Sequence, residues 1–262
     1  MTPPIWLIGG THESAQLAEA IAHTGWTCLI TVTTDAAKHL YPRVPNVTVW
    51  VGLLDEIGIR EFIIQHQIGI ILDASHPFAV DISKLAIAAA TAHHIPYLRY
   101  ERPDVAKSGS RSRQQHLFKE FDDVVESNVL IGHRALLTIG YRPLPQFREW
   151  HDRATLFTRI LPSPKALSVA LDSGFTPDRI IAIRPPLSAD FERALWHHWR
   201  ITLVVTKASG NAGGEPLKQQ IADELGIPLV TIARPSVRYP RQTQCLNEAI
   251  AFCHDQANAQ NA

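Results

Sequence analysis

The sequence has 262 residues, a length at or beyond the usual size of one hydrophobic core, so we expect two compact lobes. Its 25 basic and 25 acidic residues give a net charge of zero, which argues against nucleic acid or an anionic membrane as a partner. No apolar run approaches the roughly 18 residues of a membrane span, and no signal-type segment opens the chain, so we expect a cytoplasmic protein. The three cysteines are isolated and predict no metal site.

The chain opens with the pattern of a nucleotide-binding strand, loop and helix. Ile5–Ile8 predict a buried strand, two glycines allow a sharp turn with close backbone approach, and an uninterrupted amphipathic segment follows. Backbone amides and the positive end of a helix dipole at such a turn suit the pyrophosphate of a dinucleotide. A purely structural turn would show the same pattern, because the G-x-G-x-x-G fingerprint is incomplete. The candidate cofactor residues here are Gly9, Gly10, Thr11, Glu13 and Ser14.

Further along the chain, apolar runs alternate with helical periodicity, which predicts an α/β fold of parallel sheets flanked by helices. The further predicted strands are Thr27–Val32, Val47–Val51, Ile68–Leu72, Pro96–Tyr100, Val129–Thr138, Thr155–Ile160, Ile180–Ile183, Leu203–Val205 and Leu229–Ile232. The predicted helices are Glu13–His23, Leu54–His66, Phe78–His93, Lys165–Ser173, Phe191–Trp199, Glu215–Leu225 and Gln242–Asp255. We assign 1–103 to a dinucleotide-binding lobe, 104–128 to a linker with a connecting helix, and 129–262 to a substrate lobe.

A polar segment, DASHPFA at residues 73–79, directly follows a predicted strand, where open α/β sheets bind ligands. It offers Asp73, Ser75 and His76 near the opening loop, so these three are candidate cofactor residues. The alternative is that Asp73 or Ser75 caps the next helix and a proline occupies the first turn of that helix.

A second polar segment, VTKASGNAGG at residues 205–214, follows a strand of the second lobe. The cation of Lys207, the hydroxyl of Ser209 and the backbone of Gly210 would suit a carboxylate or phosphate. The alternative is a flexible loop with a solvated lysine. The cluster LRYERP, which contains Arg102, is either an ordinary surface charge cluster or a ligand contact at a strand end.

A family resemblance is carried by six segments in the order GGTHES, DASHPFA, LRYERP, GYRPL, TRILPSP and VTKASGNAGGEPLKQQIADELGIPLVTIARP. In this order they resemble the precorrin-6A reductases of cobalamin biosynthesis, over nearly the whole chain. The resemblance implies two Rossmann-like lobes with the active site in the cleft between them. It also implies NADPH-dependent reduction of a ring double bond in a corrin precursor, precorrin-6A or its cobalt-containing form, to the 6B form.

The resemblance also bears on the cofactor. Family members usually carry a small-residue-plus-arginine turn after the second strand, where the 2′-phosphate of NADPH would be held, whereas this chain has TVTTDAAKHL. The threonines and the lysine of this segment favour NADPH. Asp35 could instead accept the ribose hydroxyls of NADH, so NADH stays an alternative. The candidate cofactor residues here are Thr31, Thr33, Thr34 and Lys38.

The implied reaction depends on orientation more than on a catalytic triad. Hydride comes from the nicotinamide and the conjugated macrocycle accepts it, so the protein mainly orients two rings and excludes water. His76 and Lys207 are the candidate acids or orienting groups. Because the substrate carries many carboxylates, donors are needed, and the candidate contacts are Arg102, Arg142, Arg159, Arg184, Lys207, Ser209 and Gly210.

Two other functions fit parts of the sequence. A catalytically silent NADP(H)-binding sensor would explain GGTHES but not the TKASG segment. A different reductase or an epimerase acting on a nucleotide sugar would carry a Tyr-x-x-x-Lys pair, and neither Tyr97, Tyr100 nor Tyr141 is followed by a lysine four residues later. No feature of the sequence indicates the oligomeric state.

Overall fold

A computed structural model describes residues 3–102 and 115–259. Its strands are β1 (Ile5–Ile8), β2 (Cys28–Val32), β3 (Val47–Val51), β4 (Ile70–Asp73), β5 (Tyr97–Tyr100), β6 (Gln115–Phe118), β7 (Arg134–Thr138), β8 (Thr155–Ile160), β9 (Ile180–Ala182), β10 (Leu203–Lys207), β11 (Leu229–Ile232) and β12 (Gln242–Thr243). Its α-helices are α1 (His12–Thr24), α2 (Glu56–Gln65), α3 (Val80–Ala92), α4 (Phe121–Glu126), α5 (Pro164–Asp172), α6 (Ala189–His198), α7 (Glu215–Leu225) and α8 (Leu246–Ala259). Short 3-10 helices include Asp35–Leu40 and Leu144–Asp152.

The strands form two sheets with the orders β12-β5-β4-β1-β2-β3 and β6-β11-β10-β7-β8-β9. Every strand pair recorded among the described residues is parallel. Helices pack on these sheets, so the prediction of an α/β fold with parallel sheets is confirmed. The carboxyl ends of neighbouring strands meet at one edge of each sheet, and this is where the predicted ligand segments follow β4 and β10.

The first sheet is buried on both faces because alternate residues of its strands enter different cores. Ile5 and Leu7 of β1 pack with α1 and α8, whereas Trp6 and Ile8 pack with α2 and α3. All four side chains are at most 3% exposed. A short, continuous apolar run is therefore the expected pattern for such a strand.

The first compact unit is discontinuous in sequence. It contains the described residues up to Arg102 together with those from Ser236 to Ala259, and the second unit contains 115–235. β12 extends the first sheet by pairing with β5, and Phe252 of α8 is buried in the core beside α1. The structure thus differs from the predicted boundary, which placed 129–262 in one lobe. The reason is that β12 has only two residues, which are too few to show the alternating pattern that predicts a strand.

The second unit departs from the predictions at its start. The assigned linker with a connecting helix, 104–128, lies partly outside the described residues. Its described part contains a helix, α4, and also β6, a strand that was not predicted and that pairs with β11 at the edge of the second sheet. The predicted strand Val129–Thr138 begins only at Arg134, after a turn. No helix within the described ranges is long and apolar enough to cross a membrane.

Candidate functional site

The opening loop lies between the carboxyl end of β1 and the start of α1. A Cβ added to Gly9 would lie 2.2 Å from Tyr41 Oη. The absence of a side chain at Gly9 therefore lets the Tyr41 hydroxyl, rather than a ligand, approach the backbone closely. Gly10 has a φ of +100°, a conformation that favours glycine, and a Cβ there would enter open space. The amide of Gly10 donates to Tyr41 Oη at 2.6 Å. The outer side of the loop is thus open beside Gly10.

The first turn of α1 presents backbone donors beside this open space. Thr11 caps the helix by accepting from the amide of Ser14, and its hydroxyl donates to the carbonyl of Ala74 at 2.8 Å. The amides of His12 and Glu13 make no hydrogen bond to another residue within the two described ranges. These amides and the positive end of the helix dipole fit an anionic group such as a pyrophosphate.

Glu13 and Arg102, which the sequence assigns to different ligands, form an ion pair with a Nη1–Oε2 distance of 2.5 Å. Their side chains are only 14% and 11% exposed. Arg102 therefore neutralises a carboxylate in the first turn of α1. Its role as a substrate contact stays a prediction, although Glu13 already matches its charge within the first unit.

The three candidate threonines at the end of β2 differ in exposure, because one is buried and two are exposed. Thr31 is buried and accepts a hydrogen bond from Trp6 Nε1 at 2.9 Å, so its hydroxyl already has a partner inside the protein. Thr33 and Thr34 are exposed, as the prediction requires. Lys38 is also exposed, and its Nζ lies 3.1 Å from Asp35 Oδ1. Lys38, which favours NADPH, thus forms an ion pair with Asp35, the residue that would favour NADH.

The carboxylate of Asp73, at the end of β4, is fully buried and takes part in a network of hydrogen bonds. Its donors are Arg99 Nη1 at 2.7 Å, Ser83 Oγ at 2.5 Å, Tyr97 Oη at 2.7 Å and the amide of Ser75 at 3.0 Å. Ser75 is also buried, and its hydroxyl accepts from Arg99 at 2.9 Å. Asp73 and Ser75 therefore hold β4, β5 and α3 together, and their role as direct cofactor contacts stays a prediction.

His76, in the DASHPFA segment, is half-buried. Its Nδ1 accepts a hydrogen bond from the amide of Phe78 at 3.2 Å. In the neutral ring this contact leaves the proton on Nε2, so the imidazole has a defined donor side. The geometry is compatible with the predicted role of His76 as an acid or orienting group.

In the second unit, Lys207 ends β10 beside the loop that follows the neighbouring strand β7. Its Nζ lies 3.9 Å from the position that a Cβ on Gly140 would take. Burial and the nearby positive charge of Arg142 lower the pKa of Lys207 to about 8. Two cations that repel each other at the carboxyl edge of a sheet would both be stabilised by a bound carboxylate. The structure therefore brings Lys207 and Arg142 together, as a shared role in substrate binding requires.

The TKASG segment is ordered by the first turns of α7 rather than loosely exposed. Ser209 and Gly210 are buried, and the amide of Gly210 donates to Glu215 Oε2 at 2.8 Å. Lys218 donates to the carbonyl of Gly213 at 2.5 Å. Burial, followed by repulsion from a nearby arginine, lowers the pKa of Lys218 to about 7. The alternative of a flexible, solvated loop therefore does not describe Ser209 and Gly210, which are buried.

Arg159 and Arg184 differ in their surroundings. Arg159 is buried and forms an ion pair with Glu192 of α6, whose other oxygen accepts from Trp196 at 3.1 Å. This pair lines a pocket of about 260 Å³ that also includes Gly213. Arg159 thus carries a charge that Glu192 compensates, and its role as a substrate contact stays a prediction. Arg184 is exposed beyond β9.

Sequence reasoning missed several residues of these sites. Tyr41 is an internal hydrogen-bonding group, and no local pattern predicts its partners, which are distant in sequence. Arg99 lies in the LRYERP cluster, but it is fully buried and bonded to Asp73, so the surface-cluster alternative does not hold for it. Arg234 is the penultimate residue of the family-like segment VTIARP, and its Nε donates to the carbonyl of Ala208 at 2.9 Å. The family-like segment could have predicted Arg234 as a site residue, because Arg234 follows β11, and β11 is the neighbour of β10, the strand that carries Lys207.

Comparison with known proteins places this arrangement in a family. Residues 4–254 match the family model described as precorrin-6x reductase CbiJ/CobK. The cobalt-precorrin-6A reductase of Synechocystis sp. is 46% identical over 95% of both chains. The protein of the same name from Priestia megaterium is 34% identical over 90% of this chain and 92% of its own. A solved structure of CobK precorrin-6A reductase, 24% identical, covers 98% of each chain with a TM-score of 0.79 and so shares the fold. The family resemblance is confirmed, and the chain belongs to the CbiJ/CobK family of precorrin-6x reductases.

Proposed function

We propose that this chain is an oxidoreductase that uses NADPH to reduce a ring double bond of a corrin precursor, precorrin-6A or cobalt-precorrin-6A, to the 6B form in cobalamin biosynthesis. The observation that carries the proposal is the position of the two family-specific segments. DASHPFA and TKASG each follow a strand at the carboxyl edge of a parallel sheet, where such folds bind ligands.

The cofactor is assigned to the first unit. The His12 and Glu13 amides at the start of α1 would bind the pyrophosphate, and the open space beside Gly10 would admit it. Lys38 would contact the 2′-phosphate after leaving Asp35, because an exposed ion pair of this kind is held by only about 0–1 kcal/mol. When bound, the nicotinamide supplies the hydride.

The substrate is assigned to the edge of the second sheet. Lys207 and Arg142 would bind a carboxylate of the macrocycle with charge-assisted hydrogen bonds, and exposed Arg184 would contact another. Ser209 and Gly210 are buried and would hold the backbone next to Lys207 in place for this contact. His76 and Lys207 are the two groups that would deliver the proton that complements hydride addition.

The cobalt-containing macrocycle is the preferred substrate in this proposal. The supporting observation is that the relatives from Synechocystis and Priestia, at 46% and 34% identity, are both named cobalt-precorrin-6A reductase. In either case cobalt is part of the substrate.

Anaerobic incubation of the purified protein with each macrocycle and with NADPH or NADH tests the proposal. Absorbance should show cofactor oxidation, and mass spectrometry should show a gain of two hydrogen atoms in the macrocycle. The Gly10→Val variant is the control, because its side chain would fill the open space of the loop and strain the backbone at φ +100°. Failure of the wild-type protein to convert either macrocycle with either cofactor would contradict the proposal.

The cofactor preference is tested by Lys38→Ala. We expect KM to rise roughly 5- to 30-fold for NADPH, which corresponds to about 1–2 kcal/mol, and to change little for NADH, which lacks the 2′-phosphate. Lys84→Ala, which removes another exposed lysine of the first unit, is the matched control. Equal effects of Lys38→Ala on both cofactors would exclude this contact and leave Thr33, Thr34 or Arg43 as the candidates.

A further inference from the structure

Tyr41 is a buried residue in the middle of the proposed cofactor site, and neither the reaction nor the family segments give it a role. It follows the 3-10 helix Asp35–Leu40 and is 6% exposed. Its ring belongs to the core formed by β1, β2 and α1. Its hydroxyl reaches the opening loop so closely that only a glycine fits at position 9.

The hydroxyl of Tyr41 is the centre of a directed chain of hydrogen bonds. The amide of Gly10 donates to Tyr41 Oη at 2.6 Å, and Tyr41 Oη lies 2.7 Å from Ser14 Oγ. Ser14 Oγ donates its single proton to the carbonyl of Thr11 at 2.7 Å, so Tyr41 is the donor to Ser14. Burial raises the pKa of Tyr41, which keeps this proton on the hydroxyl at neutral pH. The chain therefore runs from the glycine loop through the tyrosine into the helix cap.

This chain determines which amides are left for a ligand. Since the Gly10 amide is used by Tyr41 and the Thr11 amide by Ser14, the donors at the loop are those of His12 and Glu13. The same contacts fix the direction in which α1 begins. The hydroxyl of Tyr41 thus defines the shape of the loop without occupying the open space beside Gly10.

Tyr41 also connects this loop to the basic segment that precedes it. Its backbone amide donates to the carbonyl of Lys38 at 3.3 Å, and Tyr41 lines a surface pocket of about 600 Å³ together with Lys38, His39 and Arg43. One residue therefore contacts both the proposed pyrophosphate loop and the segment proposed to hold the 2′-phosphate.

We propose that Tyr41 is a positioning residue for the dinucleotide, whose hydroxyl holds the Gly9–Ser14 loop in the shape that binds pyrophosphate. The inference rests on the proposed function, since it assumes that this loop binds the cofactor. It goes beyond the proposed function because it states that Tyr41, a residue distant in sequence from the loop, sets the geometry of the loop.

Calorimetric titration of Tyr41→Phe with NADPH and NADH tests this role. The variant keeps the buried ring but removes both hydrogen bonds, so we expect Kd to rise 5- to 20-fold for both cofactors by a common factor. Turnover at saturating cofactor should stay within twofold. Ser14→Ala breaks the same chain from its other end, and the double variant should bind no more weakly than the weaker of the two single variants.

Tyr97→Phe is the matched control, because it removes a buried tyrosine hydroxyl of the same unit that binds Asp73 instead of the loop. It should leave both Kd values within twofold. Unchanged Kd in Tyr41→Phe and Ser14→Ala, with a wild-type protein that binds NADPH, would overturn the inference and leave the proposed function intact. Tighter binding would also overturn it, because the hydroxyl would then compete with the cofactor. A wild-type protein that binds neither dinucleotide would instead refute the proposed function.

Discussion

The role of each basic residue depends on its neighbours more than on its charge. Arg102 and Arg159, both candidate substrate contacts, are each paired with a carboxylate of the same unit. For Lys207, burial and then the nearby positive charge of Arg142 lower the pKa, so its charged form is disfavoured in the free protein. A cation that its surroundings destabilise gains more from a bound anion than one that is already neutralised. Lys207 is therefore the stronger candidate for a carboxylate contact.

This environment makes the Lys207 contact dependent on pH. With a pKa of about 8 in the free protein, the ammonium is mostly charged at pH 7 and mostly neutral at pH 9. We expect KM for the macrocycle to rise roughly tenfold between these values, because only the charged form binds a carboxylate. Lys207→Met should raise KM at pH 7 and abolish this rise, at a cost of about 1.5–3 kcal/mol in kcat/KM.

Steady-state kinetics across this pH range decides between the two roles of Lys207. A change in KM alone identifies a substrate contact, whereas a fall in kcat identifies the proton donor. Lys165→Met, at an exposed lysine of α5 in the same unit, is the control and should retain the pH dependence. A variant Lys207→Met with wild-type KM and kcat at pH 7 would remove this residue from the site.

At the scale of elements, one buried ion pair joins the ends of β4 and β5, and Ser83 of α3 donates a hydrogen bond to the same carboxylate. Arg99 and Asp73 are both fully buried and lie 2.7 Å apart. Arg99→Met should lower the stability of the first unit by about 3–5 kcal/mol, because Asp73 would be left as an unpaired buried charge. Hydrogen exchange resolved to peptides of β4 and β5 measures this loss.

Arg193→Met is the comparison for that experiment. Arg193 pairs with Asp190 and Glu224 on the exposed surface of α6 and α7, so its loss should leave exchange nearly unchanged. If Arg99→Met exchanged as slowly as the wild-type protein in β4 and β5, the ion pair would not be what holds these strand ends together.

The same elements explain what could be predicted from the sequence. β1 and α1 were predicted to within a residue or two at their ends, because burial on both faces and helical periodicity leave local patterns. The edge strand β6 was missed because its central residues His116 and Leu117 are exposed and show no apolar run. Polar residues at strand ends were found as candidates, but their partners were not. Asp73 meets Arg99 and Gly10 meets Tyr41 only through tertiary structure.

At the scale of the whole molecule, the end of the chain completes the unit in which it begins. α8 packs against α1, and its buried face includes Ala249, Phe252 and Cys253. Arg241, just before β12, lies over the ring of Phe252 at 5.0 Å. The proposed cofactor unit therefore cannot be complete until the second unit has been synthesised. Its stability must depend on residues that are distant in sequence from the glycine loop.

This connectivity predicts where a C-terminal substitution acts. Phe252→Ala should destabilise the first unit by about 3–5 kcal/mol, because Phe252 is 3% exposed in its core, and should weaken NADPH binding although the residue contacts no proposed cofactor group. Phe175→Ala removes an equally buried ring, 2% exposed, from the second unit and should spare NADPH binding. Peptide-resolved hydrogen exchange and NADPH titration of both variants measure the two effects. If Phe252→Ala loosened 115–235 and left β1 and α1 protected, the last helix would belong to the second unit, as the contiguous boundary predicted.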